Sequence, residues 1–454
     1  MTGFRAGTLA LPRLAGAATA SWPSWLRGRL RAILVPDSRA GRQLSLIALV
    51  DAIGTGMYYT GSALYFTQIV GLSAKAVGAG LAVGGVTGLV LTVPVGVVAD
   101  RVGAGRVLIA LQLWRAACYV GFCLVTNPVQ FIVVAACIGV ADGATPPNHQ
   151  AVVSAMVSGA QRVDTLAKVR AVRNMGFGLG ALAATVAIGN GSRVGYLILV
   201  AGNAVSFVVT AVLLGRIGAA ARSSRASGEP AATGQRNGRV PPRYLAATVL
   251  NGVLSLHMTV LGLGLPLWVA GHTRVPPILL GPLIAGNTVL SVLLQARLAR
   301  PATELPGALR CAARAGSALA ACAVALQLAG RVSWSIVACA ITVLAVVLLT
   351  LAELWQSSAG WTISFELAPA AQRGRYLSVF QLGTSLQAIV APIVITGLVL
   401  PSRIGWLALG AIVIACGIAV PRVVEPGPNM GRHRKVSQGR HRATSVRARG
   451  AWVS

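Results

Sequence analysis

The 454 residues are 55% hydrophobic and 11% charged, with a mean hydropathy of +0.72, whereas soluble domains carry roughly 25% charged residues. That balance argues against a soluble protein. The net charge of +29 would suit nucleic acid if it formed one patch, but the arginines fall in short gaps between apolar runs and in the two tails, where they orient membrane helices.

Residues 1–43 form a basic tail containing Arg27, Arg29, Arg31, Arg39 and Arg42. Its apolar stretch breaks at Pro12 and Arg13, too short for the core of a signal peptide. Trp22, Trp25, Leu26, Leu30 and Ile33 alternate with arginine, which fits either an amphipathic segment on the membrane surface or a disordered basic tail.

Six apolar runs follow, each near the roughly 20 residues that a helix needs to span the hydrocarbon. They cover 44–66, 77–99, 107–126, 129–143 or beyond, 172–188 and 196–215. The fourth is the least defined, since it runs into Pro146 and Pro147. Residues 216–243 have the Gly, Ser, Pro and Arg content of a linker. Six more runs cover 244–271, 276–296, 309–329, 334–354, 376–400 and 404–420, and a tail rich in Arg and His occupies 421–454. The predicted fold is therefore all-α, with about twelve membrane helices in two six-helix bundles, 44–215 and 244–420.

The basic residues test this count. The first tail holds seven Lys and Arg, the even-numbered connections about 18 and the last tail eight, while the odd-numbered connections hold only Lys75, Arg193, Arg274, Arg331 and Arg403. The asymmetry predicts a multi-pass protein of the inner (plasma) membrane, with both termini and the 216–243 linker in the cytoplasm. Two similar halves would place a transport site near the midplane between them.

Between the second and third runs the sequence reads GVVADRVGAGR, comprising Gly96, Asp100, Arg101, Gly103, Gly105 and Arg106. Glycine permits a tight turn there, Asp100 at a helix end can pair with arginine, and Arg106 anchors the next helix. In sequence and in position this loop resembles the signature of the major facilitator superfamily, in which it is a conformational latch on the cytoplasmic side. The corresponding loop of the second half, QARLARPATELPGALR, lacks the Gly and Asp of the pattern. Asp51, the series Arg173, Asn174, Gly176, Gly178 and Gly180, and Glu353 resemble pieces of prokaryotic drug exporters, although the proline usual in that glycine series is missing. Gly80, Gly84 and Gly88 form a small-residue stripe, which serves either close helix packing or a sliding surface.

Ionisable residues inside the membrane are costly and face a partner or a water-filled cavity. Five lie within the runs: Asp51, Arg115, Asp142, His257 and Glu353. Asp51 and Arg115 share a depth, and Asp142 joins them if the fourth helix continues past its prolines. The three form either a structural ion pair or a proton-coupling site, with Glu353 as a further candidate placed near a helix end. His257 with Asn251 on the same helix, Tyr58 and Tyr59 on the first, and Trp268 are candidates for lining a substrate cavity. The seven cysteines form no Cys-x-x-Cys pair, so they are read as small apolar residues; no metal and no cofactor are expected.

These features predict a monomeric secondary transporter of small molecules that works by alternating access, with protons and the lipid bilayer as partners and nucleic acid not among them. Proton-coupled efflux of amphipathic compounds leads, and proton-coupled import of a small metabolite is the alternative. From other classes come a scaffold that has lost transport and a membrane-embedded enzyme. An enzyme would need acidic or His residues clustered at one face, which the ten scattered carboxylates do not provide.

Overall fold

The computed structural model describes residue 36 and residues 38–156, 161–221, 239–369 and 372–424. The amphipathic tail segment, most of the linker and the Arg- and His-rich tail lie outside the described residues. Within them the backbone is helical, as hydrocarbon requires of any segment that must satisfy its own N–H and C=O groups.

Among the described residues, twelve membrane-length helical elements follow in chain order. The first bundle contains α1 (Arg39–Leu64), α2 (Ala74–Val102), α3 (Ala104–Cys123), α4 (Pro128–Met156), α5 (Gln161–Asn190) and α6 (Arg193–Ala221). The second contains α7 (Pro242–His272), α8 (Pro277–Thr303), α9 (Leu305–Ala329), α10 (Ser335–Glu366), α11 (Arg373–Val399) and α12 (Gly405–Val424). Eleven are long and apolar enough to cross a membrane; α1 falls short because Asp51 and its Gly, Thr and Tyr residues dilute its hydropathy, yet it packs against α5 and α6 inside the first bundle.

Polar side chains start several helices by satisfying N–H groups that have no intrahelical partner. Ser38 accepts from Gly41 N, Ser73 from Ala76 N and Asn127 from Gln130 N. Gly103, at φ +98°, makes the sharp corner between α2 and α3.

The fourth helix runs unbroken through Pro146 and Pro147 to Met156, so Asp142 lies well inside it. Its glycines mesh with the stripe on α2: a Cβ on Gly139 would fall on the carbonyl oxygen of Gly84, and one on Gly143 on that of Gly88. The stripe is therefore a packing seam within one bundle rather than a sliding surface between bundles. Helix α7, by contrast, is interrupted. It leaves α geometry at Ser255 and Leu256, resumes for His257–Thr259, and passes through a π turn at Val260–Gly264. Two more π turns, Tyr65–Ile69 after α1 and Ile395–Val399 at the end of α11, lie towards the same face.

The two bundles meet along α2 with α11 and α5 with α8. These seams are tight towards the face that carries few arginines: Gly78 abuts Thr396, Gly85 abuts Ile389, Gly281 abuts Thr185 and Gly189 abuts Ile278. Near the opposite, arginine-rich face, Gly96 and Gly374 meet nothing within 4 Å. The two bundles are therefore packed tightly against each other towards the arginine-poor face.

Candidate functional site

Asp51, Arg115, Asp142, His257 and Glu353 lie roughly 11 to 15 residues, or about 17–22 Å, from the arginine-rich ends of their helices. All five therefore lie well inside their helices. Packing then sorts them into two groups.

In the first bundle one arginine serves two acids. Arg115 Nη2 lies 3.1 Å from Asp142 Oδ1, and Nη1 lies 3.7 Å from Asp51 Oδ1. Gln112, one helical turn before Arg115, donates from Nε2 to Asp51 at 3.2 Å and accepts from Arg115 Nη1 at 3.3 Å. The guanidinium rests on the Phe207 ring, 4.1 Å from its centroid, an arrangement that favours a desolvated cation. Arg115 is buried, with 13% of its side chain exposed, and Asp51 has 24%, while Asp142 has 52% and reaches open space. The cluster carries two carboxylates and one guanidinium, leaving one negative charge in excess at midplane depth. Tyr119 packs at a tilt against Phe207 beside it, with centroids 5.3 Å apart, and Tyr58 stands edge-on to Tyr119 at 4.7 Å, so Tyr58 belongs to the aromatic core of this bundle.

The second bundle replaces ion pairs with amides. His257 Nε2 lies 3.2 Å from Gln356 Oε1, and the amide nitrogen of Gln356 donates to Asn251 Oδ1 at 2.9 Å and to Ser255 Oγ at 3.0 Å. This buried network of side chains ties both sides of the break in α7 to α10. His257 and Asn251 are thereby engaged with α10. Glu353 stands apart from the Arg115 cluster and accepts from Asn287 Nδ2 on α8 at 3.3 Å, beside Thr350. Helix α10 extends to Glu366, so Glu353 is a mid-helix residue and not the helix-end residue that the apolar run suggested.

Tyr59 joins the bundles. Its hydroxyl donates to Met258 O at 2.7 Å, and its ring fills the space that a side chain on Gly262 would need. Trp268 lines no open cavity: it is 4% exposed, donates to Leu326 O at 2.7 Å and stacks on His272.

The loop signature falls at the arginine-rich face. Gly96 lies in α2, Asp100 and Arg101 in its last turn, Gly103 at the corner, and Arg106 donates to Val102 O at 3.5 Å. Asp100 is exposed and forms no ion pair among the described residues. Gln112, Phe207, Asn287 and Gln356 were missed from sequence. Gln112 alone left a signal, as an amide one turn from a membrane arginine; Phe207 and Asn287 are neutral residues in apolar runs, and Gln356 lies just past the end of one.

No curated protein matches the chain in sequence. Among solved structures it resembles the nucleoside transporter NupG, at 15% identity over 86% of this chain and 100% of that one, with a TM-score of 0.66. A bacterial homologue of the iron transporter ferroportin, solved in an inward-facing state, matches at 14% identity over 85% and 98% of the two chains, with a TM-score of 0.63. An auto-inhibited peptide transporter of the POT family matches at 17% identity over 86% and 98%, with a TM-score of 0.61. Residues 44–360 match the family model of the Major Facilitator Superfamily. A twelve-helix architecture in two bundles among the described residues and a family match over most of the chain lead to one conclusion: this protein belongs to the Major Facilitator Superfamily, as a multi-pass membrane transporter.

Proposed function

We propose that the protein couples proton movement to the export of amphipathic compounds across the inner membrane, with both termini and the 216–243 linker in the cytoplasm. The observation that carries the coupling is the sharing of Arg115 by Asp51 and Asp142. With one arginine and two acids, the cluster is neutral when one carboxyl is protonated and carries a single negative charge when neither is. A proton can therefore enter or leave without exposing an unpaired arginine, the state that a buried ion pair makes most costly. The half-exposed Asp142 gives the cluster a point of access for a proton from outside the bundle.

Export is supported by the likeness of Asp51 and the Arg173–Gly180 series to drug exporters. The arginine asymmetry supports the orientation, under which the arginine-rich face is cytoplasmic. Asp100 then acts as a latch that engages when the cytoplasmic face closes. Its partner follows from helix register: α2 and α11 run antiparallel, with Gly78 at Thr396 and Gly85 at Ile389, so closing the seam brings Asp100 opposite Gly374, between Arg373 and Arg375. The test is flux in proteoliposomes with a panel of amphipathic compounds and an imposed pH gradient. Movement of any of them that follows the gradient and fails when both Asp51 and Asp142 are made Asn supports the reading; flux indifferent to the gradient overturns it.

A further inference from the structure

The arginine-poor face holds a cavity of about 440 Å³ that the transport cycle described above does not use. It lies beyond the Tyr59–Met258 contact, eight or more residues nearer that face along both α1 and α7. Gln68 and Lys75 contribute walls from the first bundle, and Leu267, His272, Thr396 and Leu400 from the second. Its volume falls in the range of about 300–1,000 Å³ typical of small-molecule sites.

The chemistry of the lining is specific in charge. The hydroxyls of Thr67 and Thr396 are spent on the carbonyls of Ala63 and Pro392, each at 2.7 Å, and the His272 ring is stacked on Trp268 at 4.3 Å. The Lys75 ammonium and the Gln68 amide, both exposed, remain to meet a ligand over a mainly apolar floor, with the Ser73 hydroxyl and the ring nitrogens of the exposed His272 beside them. The surrounding field has the same sign. Connections on this face carry Lys75, Arg193, Arg274, Arg331 and Arg403, and none of the ten acidic residues lies in them. A face of uniformly positive charge concentrates anions at its clefts.

We propose that this cavity binds amphipathic monoanions, with an apolar body against Leu267 and Leu400 and one carboxylate, sulfonate or phosphodiester on Lys75, and that occupancy holds the arginine-poor face closed. The second part follows from the walls. They come from both bundles, so opening that face dismantles the site, and a ligand that binds only the closed state shifts the equilibrium towards it. At ten times its dissociation constant the shift is about elevenfold. The site is thus a brake, reached from the face opposite the substrate cavity.

A matched pair of probes tests this on the full chain in nonionic detergent: dansylglycine, a monoanion, and dansylamide, its neutral counterpart, followed by energy transfer from tryptophan. Dansylglycine should bind saturably and about tenfold more tightly than dansylamide. Lys75 is exposed, so Lys75→Gln should leave folding intact and weaken dansylglycine about fivefold, the equivalent of one partly exposed ion pair, without changing dansylamide. Cross-linking a Gly85→Cys, Ile389→Cys variant, whose residues lie in the same seam outside the cavity lining, locks the seam shut and should preserve dansylglycine binding or strengthen it. Equal affinity for the two probes, indifference to Lys75→Gln, or loss of binding on cross-linking would overturn the proposal. Displacement by naphthoate assigns the site to soluble amphipaths, displacement by dihexanoyl phosphatidylglycerol to a lipid headgroup, and displacement by neither also overturns it. In proteoliposomes, dansylglycine added at this face should lower maximal flux without raising the KM for substrate, whereas competition with substrate contradicts the brake.

Discussion

Removing charges one at a time from the Arg115 cluster should give sharply unequal effects on stability. Arg115→Gln leaves two carboxylates at midplane depth without their shared cation and strips the guanidinium from the Phe207 ring. Breaking a buried pair from one side costs about 3–5 kcal/mol, and the lost cation–π contact adds about 0.5–2. The side chain of Asp142 is 52% exposed, so its share is screened to about 1 kcal/mol or less, and the total falls at the low end of these ranges, about 3–4 kcal/mol. Asp51→Asn behaves differently, because Arg115 keeps Asp142 at 3.1 Å and the new amide can still accept from Gln112; its cost should stay near 1 kcal/mol. Thermal unfolding of the detergent-solubilised variants, followed by fluorescence-detected gel filtration, reads the difference. Asp51→Asn should nevertheless abolish pH-driven flux while preserving substrate binding. If Asp51→Asn destabilised the protein as much as Arg115→Gln, Asp142 would not be an effective second partner, and the shared-cation account would fail.

Asp100→Asn should slow transport several-fold with substrate affinity little changed, since the latch biases conformations and does not touch substrate; in the same register, Asp100→Cys with Gly374→Cys should cross-link only in protein driven to close its arginine-rich face, and cross-linking in every state would refute the register. Gly139→Ala forces a methyl onto the carbonyl of Gly84 and should lower stability by about 1–3 kcal/mol, whereas Gly96→Ala, which meets nothing within 4 Å, should leave the melting temperature unchanged. For topology, a periplasmic phosphatase fused at Gly234 should be inactive and one fused at Asn127 active; the reverse pattern would invert the assigned orientation.

Much of the architecture was legible in the sequence because the bilayer imposes a length on every helix and confines arginine to one side. Every predicted run coincides with a helix, and the helices extend past the runs where they leave the hydrocarbon: α10 continues through Trp355–Glu366 after its apolar run ends at Leu354. That extension misplaced Glu353, since hydropathy marks where a helix leaves lipid and not where it stops. The depth of Asp142 depended on whether Pro146 and Pro147 end α4. They do not, since neighbouring helices hold the kinked segment in place. The grouping of Asp51, Arg115 and Asp142 could be reached from charge and depth alone. The amide network of Asn251, His257 and Gln356 could not, because a neutral Gln just past an apolar run gives no indication of which helix it faces. Nor could the break at Ser255 and Leu256, which no Pro or Gly at those positions announces.

The most direct test of proton coupling uses everted membrane vesicles with an acidic lumen and an amphipathic compound identified as a substrate by binding. The account predicts accumulation of that compound in the lumen, collapse of the accumulation when a protonophore is added, and no accumulation with the Asp51→Asn, Asp142→Asn double variant even though it binds the compound normally. Accumulation that survives the protonophore, or that persists in the double variant, would contradict it.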